Sequence, residues 1–421
     1  MTQIKGMLRA LGFCAAVVAA GCGGSSSTAV TGTVLDRYRM PLEGARVSIG
    51  KEPVATTDAW GHFRVSSAAK SYDVAVTFDE PTVQSGLPVP PTVSRALVVK
   101  GLSRRDPTLY LPSAHTKFGG GLNHITSVQG VSETGASTAN PPFLWGFVGA
   151  GGEISGQFST GSFAWHGPAP MEGKLAVLVE REPGMAPQAI TFAGHAAFRA
   201  DDNFYSTPVS VAVAPVSPLT IHLTEHVPVG CTFSHWNVVV PGVANSTLVG
   251  GSGSDTGVFT AEVGYTDELP LSLRVVARCH LASSFAARRI SPTTTNFDVE
   301  VPAEPILTAP ASGTKVTAAT LFSWTAPASA LAVVHLADID ANGFTLGTLD
   351  VMTTDTSFTF PDLTALSAEV VPGKAPTWLV DAWGPVTSTD AASDPSGFGK
   401  FLAGTGDFFH GGLGALITPS P

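Results

Sequence analysis

Val30-Thr31-Gly32-Thr33-Val34-Leu35-Asp36, then Met40-Pro41-Leu42-Glu43-Gly44-Ala45-Arg46-Val47-Ser48-Ile49, then Ala55-Thr56-Thr57-Asp58-Ala59-Trp60-Gly61-His62-Phe63-Arg64-Val65, is the stretch that decides the fold. Its apolar residues recur every second position in short runs, the spacing of half-buried strands rather than of helices. Gly, Pro and Asp punctuate the runs, and Ser71-Tyr72-Asp73-Val74-Ala75-Val76-Thr77-Phe78 alternates again. Gly44 and Gly61 stand where tight turns need a permissive backbone. Val34, Val47, Phe63 and Val74 fall on the inward face. Residues 94–100 and Thr108–Leu111 would close a sandwich.

Gly32-x-Val34, Pro41-Leu42-x-Gly44-Ala45-x-Val47, Thr57-Asp58-x-x-Gly61-x-Phe63 and Tyr72-x-Val74 together resemble the carboxypeptidase regulatory-like domain. That resemblance covers residues 29–112 and implies a transthyretin-type β-sandwich. It also implies a non-catalytic companion role, because such domains accompany enzymes and bring no active site.

Composition extends the β reading to the whole chain. Of 421 residues, 45 are Gly and 32 are Pro, and only 13% are charged, about half the usual share. From 113 to 300 strand patterns recur (174–180, 189–192, 209–213, 219–225, 236–240, 258–263, 271–278) between Gly/Pro/Asn/Asp clusters, a β-rich region with no family resemblance. Pro302, Pro305 and Pro310 give a linker composition. The order Phe322-Ser323-Trp324, 331–339, Phe358-Thr359-Phe360 and Trp378-Leu379-Val380-Asp381-Ala382-Trp383 then resembles a fibronectin type III or immunoglobulin-like sandwich over 301–421, with Trp324 as a core residue. The expectation is an all-β, multi-domain chain of β-sandwiches joined into a rod.

The first residues address the protein. Lys5 and Arg9 precede an uncharged apolar run, and Ala19-Ala20-Gly21-Cys22 resembles a bacterial lipobox. The resemblance implies a signal peptide over 1–21, a lipid on Cys22, and a Gly/Ser tether over 22–28. Gly23 after the cysteine, rather than Asp, points to the outer membrane of a bacterial envelope. Without the signal the net charge is about −12, from 21 basic and 33 acidic residues, which leaves no electrostatic footprint for nucleic acid. Cys231 and Cys279 are then the remaining thiols, and two cysteines in an oxidising compartment pair.

Four signals touch on chemistry. His222-Leu223-Thr224-Glu225-His226 spells H-x-x-E-H, but Pro218 and Pro228 leave no room for a helix. On a strand His222 and His226 stand about 13 Å apart with Glu225 on the opposite side, so one zinc ion cannot hold all three. Asp338-Ile339-Asp340-Ala341-Asn342-Gly343 begins like a calcium loop, yet Leu349 holds the twelfth position and Asp350 comes one place late. Asn342-Gly343 is also a strong hairpin signal. His410-Gly411-Gly412-Leu413-Gly414 has the composition of an oxyanion loop, but no G-x-S-x-G elbow accompanies it. Trp60, Trp145, Trp165 and Trp236 can stack on sugars or fill cores.

No P-loop, dinucleotide fingerprint or C-x-x-C occurs, so no catalytic residue, cofactor or metal is expected. The functional expectation is a lipid-anchored binding, adhesion or scaffold module whose partners are the membrane, through its lipid, and a glycan or protein ligand. The alternative is a hydrolase with its site in the middle region.

Overall fold

The computed structural model describes residues 29–37, 40–81, 92–114, 118–125, 127–129, 143–149, 152–157, 160–166, 171–181, 189–200, 210–212, 214–239, 241, 247–252, 258–265, 267, 271–280, 282–339, 345–366, 376–402 and 406–412, with 118–215 described through the backbone of their strands. The chain is all-β and multi-domain, built of packed sheets.

The opening motif folds as its spacing requires. Strand Ala29–Asp36 pairs antiparallel with His62–Ser66 and parallel with Thr108–Leu111. Val30, Val34, Val47, Phe63 and Val74 are all buried. Gly32 lies opposite Phe63, and a side chain there would meet the Phe63 ring at 2.6 Å and the Pro107 carbonyl at 2.4 Å. The glycine is needed because the phenyl ring lies across it. Thr57 Oγ1 donates to the Leu42 carbonyl at 2.5 Å and accepts from the Ala45 amide at 2.9 Å, tying the two turns together. Gly61 has φ of +72°, and a Cβ there would reach the Val34 carbonyl at 2.4 Å. Two independent constraints therefore exclude other residues from that position.

One sheet organises the rest. Twelve strands run in the order 247–252, 232–239, 271–278, 283–290, 408–411, 377–384, 331–339, 345–353, 92–102, 72–81, 46–49 and 55–56. It comprises three quartets of strands, each drawn from a different part of the chain. The quartet that comes last in the chain, 331–411, occupies the centre. Its strand Thr345–Thr353 pairs parallel with Thr92–Leu102, and its strand Phe408–Gly411 pairs antiparallel with Ser283–Ile290. The sheet thus crosses residues 112 and 300, where the sequence suggests separate sandwiches. Parallel pairing between strands 250 residues apart leaves no local signal in a sequence.

Three smaller sheets cover this long one. Strands 29–36, 62–66 and 108–111 close a core that includes Val34, Leu97, Val333, Met352 and Phe408. Strands 306–309, 321–325 and 357–359 close a second, where Phe322 stacks on Phe358 at 5.0 Å and meets Trp378 edge-on at 5.2 Å. Strands 217–226, 258–265 and 296–300 close a third around Trp236, Leu273 and Val299. Residues 306–309, inside the expected linker, form one of these strands. The strands flanking the Asn342-Gly343 signal, Leu331–Ile339 and Thr345–Thr353, pair antiparallel, and the turn between them lies outside the described residues.

Candidate functional site: an imidazole–carboxylate chain

Where the C-terminal quartet meets the first sandwich, four titratable side chains link three neighbouring strands and the last strand. His335 lies on Leu331–Ile339, Asp350 on Thr345–Thr353, Asp381 on Thr377–Gly384 and His410 on Phe408–Gly411. His335 and Asp350 are direct cross-strand partners, which places their side chains on one face. His335 Nδ1 is 2.6 Å from Asp350 Oδ1, and its Nε2 is 3.2 Å from Asp381 Oδ2. The other Asp381 oxygen is 3.1 Å from His410 Nε2. Asp350 Oδ2 accepts from the Ser113 hydroxyl at 2.7 Å and from the Ser113 amide at 3.2 Å. Ser113 follows the last strand of the first sandwich, so the chain of bonds crosses from one unit into another.

Burial decides the electrostatics. The Asp350 side chain is fully buried, while His335, Asp381 and His410 retain 26%, 15% and 14% of their exposure. Burial alone pushes the His335 pKa down, but the Asp350 carboxylate, joined by Asp381, outweighs it and raises the pKa to about 10. Burial pushes Asp381 up, and the hydrogen bonds from His335 and His410 hold it well below the usual carboxylate range. At neutral pH His335 is therefore an imidazolium that donates through both nitrogens. A general base needs a free ring nitrogen and a pKa near the working pH, and His335 has neither. What the arrangement can do is fasten strands together.

A second polar clamp joins the same two units. Asp390 accepts from the amides of Ser103 and Arg104 at 2.7 and 3.0 Å and from the Ser103 hydroxyl. Arg104 reaches the Asp390 carbonyl at 3.1 Å and Asp394 at 3.2 Å. Tyr72, whose hydroxyl donates to the Arg104 carbonyl, has its pKa raised to about 12, chiefly by burial.

The residues singled out from the sequence are scattered. Cys231 and Cys279 form a disulfide across the ends of paired strands, and Cys22 lies outside the described residues. His222, Glu225 and His226 sit on strand Ser217–His226, where His222 faces Thr260 Oγ1 at 3.1 Å and His226 pairs with Asp298 at 2.6 Å. Among the described residues no three His, Cys, Asp or Glu side chains are placed to hold a metal ion. Asp338 is buried, whereas Asp340, Asn342 and Gly343 lie outside the described residues. His410 joins Asp381, and the Gly412 amide donates to Ser284 Oγ at 3.0 Å, so that amide is already occupied; Leu413 and Gly414 lie outside the described residues. Trp236 is buried and Trp60 is 71% exposed, while the side chains of Trp145 and Trp165 lie outside the description.

His335 and Asp381 carry no motif and escape a motif search. Their signal is a charge inside an apolar strand: Leu331-Ala332-Val333-Val334-His335-Leu336 and Leu379-Val380-Asp381-Ala382. Charged groups in such surroundings need partners.

No family model matches the chain, and no curated protein does. Among solved structures, one titled as the structure of the Streptococcal ancillary pilin aligns at 9% identity over 65% of this chain and 99% of that one, with a TM-score of 0.16. A score that low does not establish a shared fold.

Proposed function

We propose that this protein is a non-catalytic binding or scaffold body of the bacterial cell envelope, exported and held by a lipid on Cys22. The observation that supports this reading is the use made of the His335 chain: its ring nitrogens and carboxylates face one another across the seam between units. They stiffen a display body instead of addressing a substrate.

The surface that meets a ligand is the Trp60 turn. Asp58 Oδ1 accepts from the Trp60 and His62 amides at 2.9 and 2.8 Å, and Gly61 is fixed against the Val34 carbonyl, so a rigid backbone holds the indole in water. Asp58 and His62 remain largely exposed beside it. A flat ring flanked by an acceptor and an imidazole suits a pyranose ring, whereas a protein interface centres on a cluster of apolar anchors.

The test is a glycan and peptide array probed with the chain from residue 23 onward, alongside a hydrolase substrate panel. Glycan binding lost in Trp60→Ala is expected. Peptide binding that survives Trp60→Ala would move the ligand surface elsewhere, and turnover lost on mutating His222 or Glu225 would reject the reading for a hydrolase.

A further inference from the structure

The last described strand fills a slot between two units, and every residue from 407 to 412 is keyed to it. Phe408 is buried on one face, edge-on to Phe285 at 5.7 Å. Phe409 turns to the opposite face, where a Cβ on Gly384 would meet its ring at 2.1 Å. His410 bonds to Asp381 and packs on Trp383 with centroids 4.3 Å apart. Gly411 has no room for a side chain, because a Cβ would lie 2.7 Å from the Ala303 carbonyl. Asp407 accepts from the Arg289 amide at 2.6 Å. On one side the strand pairs with Phe285, Ala286 and Ala287, and on the other with Ala382, Trp383 and Gly384.

Among the described strands this four-residue element is the only sheet pairing between the 216–301 sandwich and the 306–402 sandwich. Without it, the second and third cores keep their fully buried residues and their covering sheets, while the first core loses Phe408, which packs there with Ala287, Val333 and Met352. What is lost is the backbone joint, the Phe408 ring from the first core and the Phe409 ring from the edge of the third. A sheet edge left open in this way accepts an added strand, with backbone bonds giving affinity and alternate side-chain pockets giving specificity.

We propose that Phe408–Gly411 is a latch strand: it releases before either sandwich unfolds, and the slot it leaves accepts the same sequence supplied in trans. Local release of this kind leaves the remaining strands protected from hydrogen exchange. The partner is thus a peptide reading Phe-Phe-His-Gly, with the two rings on opposite faces, the imidazole on Asp381 and no side chain at the fourth position.

The test uses the full chain carrying Gly411→Val, whose side chain must collide with the Ala303 carbonyl. Exchange of the amides in 285–287, 382–384 and 408–411 is expected to quicken about tenfold or more, while 271–278 and 331–337 keep their protection. A fluorescent peptide of residues 406–413 is expected to bind the variant at least about tenfold more tightly than the wild type, whose slot is filled, and to lose that binding when it carries His410→Ala. Protection lost throughout both sandwiches, including outright unfolding of the variant, would overturn the proposal by showing one cooperative body. So would unchanged exchange, or a variant that ignores the peptide.

Discussion

Replacing Asp350 with alanine removes one oxygen from His335 and both acceptor contacts from Ser113, in a place where the carboxylate is fully buried. Breaking a buried ion pair from one side costs about 3–5 kcal/mol, because the partner charge stays behind. Here Asp381 still faces His335, at 3.2 Å, so the lower end of that range, about 3 kcal/mol, is the expected loss at pH 6.

The pH dependence isolates the cause. The folded pKa of His335 lies above its ordinary value of 6.5, near 10. Its contribution is therefore complete below pH 6.5, declines as pH rises, and is gone above about pH 10. Wild type should lose stability across that window, and Asp350→Ala should lose much less, since its His335 has fewer carboxylates to hold the proton. Urea unfolding at half-unit steps from pH 6 to pH 10, for both proteins, measures this. A loss below about 1 kcal/mol at pH 6, or two parallel pH profiles, would refute the assignment of a buried imidazolium.

Two further outcomes follow from named residues. Reducing the Cys231–Cys279 bond, or replacing both cysteines with serine, opens a loop spanning 48 positions and should cost roughly 4 kcal/mol in denaturant titrations if chain entropy dominates. Cys22→Ala should release the exported protein from the membrane fraction, as read by fractionation and blotting; a variant that sediments with membranes as wild type does would remove the lipid anchor from the functional reading.

How much of this was legible depends on how local each cause is. The Thr57-Asp58-x-x-Gly61-x-Phe63 motif is read almost completely, because Thr57 ties adjacent turns, Asp58 bonds two amides within four residues, and Gly61 meets a carbonyl on the strand beside it. The inward set Val34, Val47, Phe63 and Val74 follows from period two alone. Trp324 and Trp378 are buried together because aromatic residues in short strands have few other places to go. The His335 chain and the order of the quartets are different in kind. Their partners are separated by 15 to 237 residues, and nothing near His335 in sequence names Asp381 or reaches Ser113 through Asp350. The Pro-rich stretch at 302–310 misleads for a related reason: a proline at each end of Ile306–Ala309 is compatible with a short strand as well as with a linker.

The seam between the first and last units explains why a charged chain belongs in a place that apolar residues could fill. Thr92–Leu102 and Thr345–Thr353 are both rich in Val and Leu, and their parallel pairing sets Ala96 against Leu349, Val98 against Val351 and Val99 against Met352. A slip of two residues would keep every apolar side chain on its present face, so the alternation of the strands does not by itself forbid it. The polar groups do not tolerate it. Shifted by two, Ser113 would leave Asp350, Arg95 would leave Thr348, which it now reaches at 3.4 Å, and a fully buried carboxylate would lose its two bonds from Ser113. The penalty for stranding those groups is several kcal/mol, comparable to the whole margin of stability of a domain. Apolar burial makes the sheet, and the Ser113–Asp350–His335–Asp381 chain adds polar bonds that only this register satisfies.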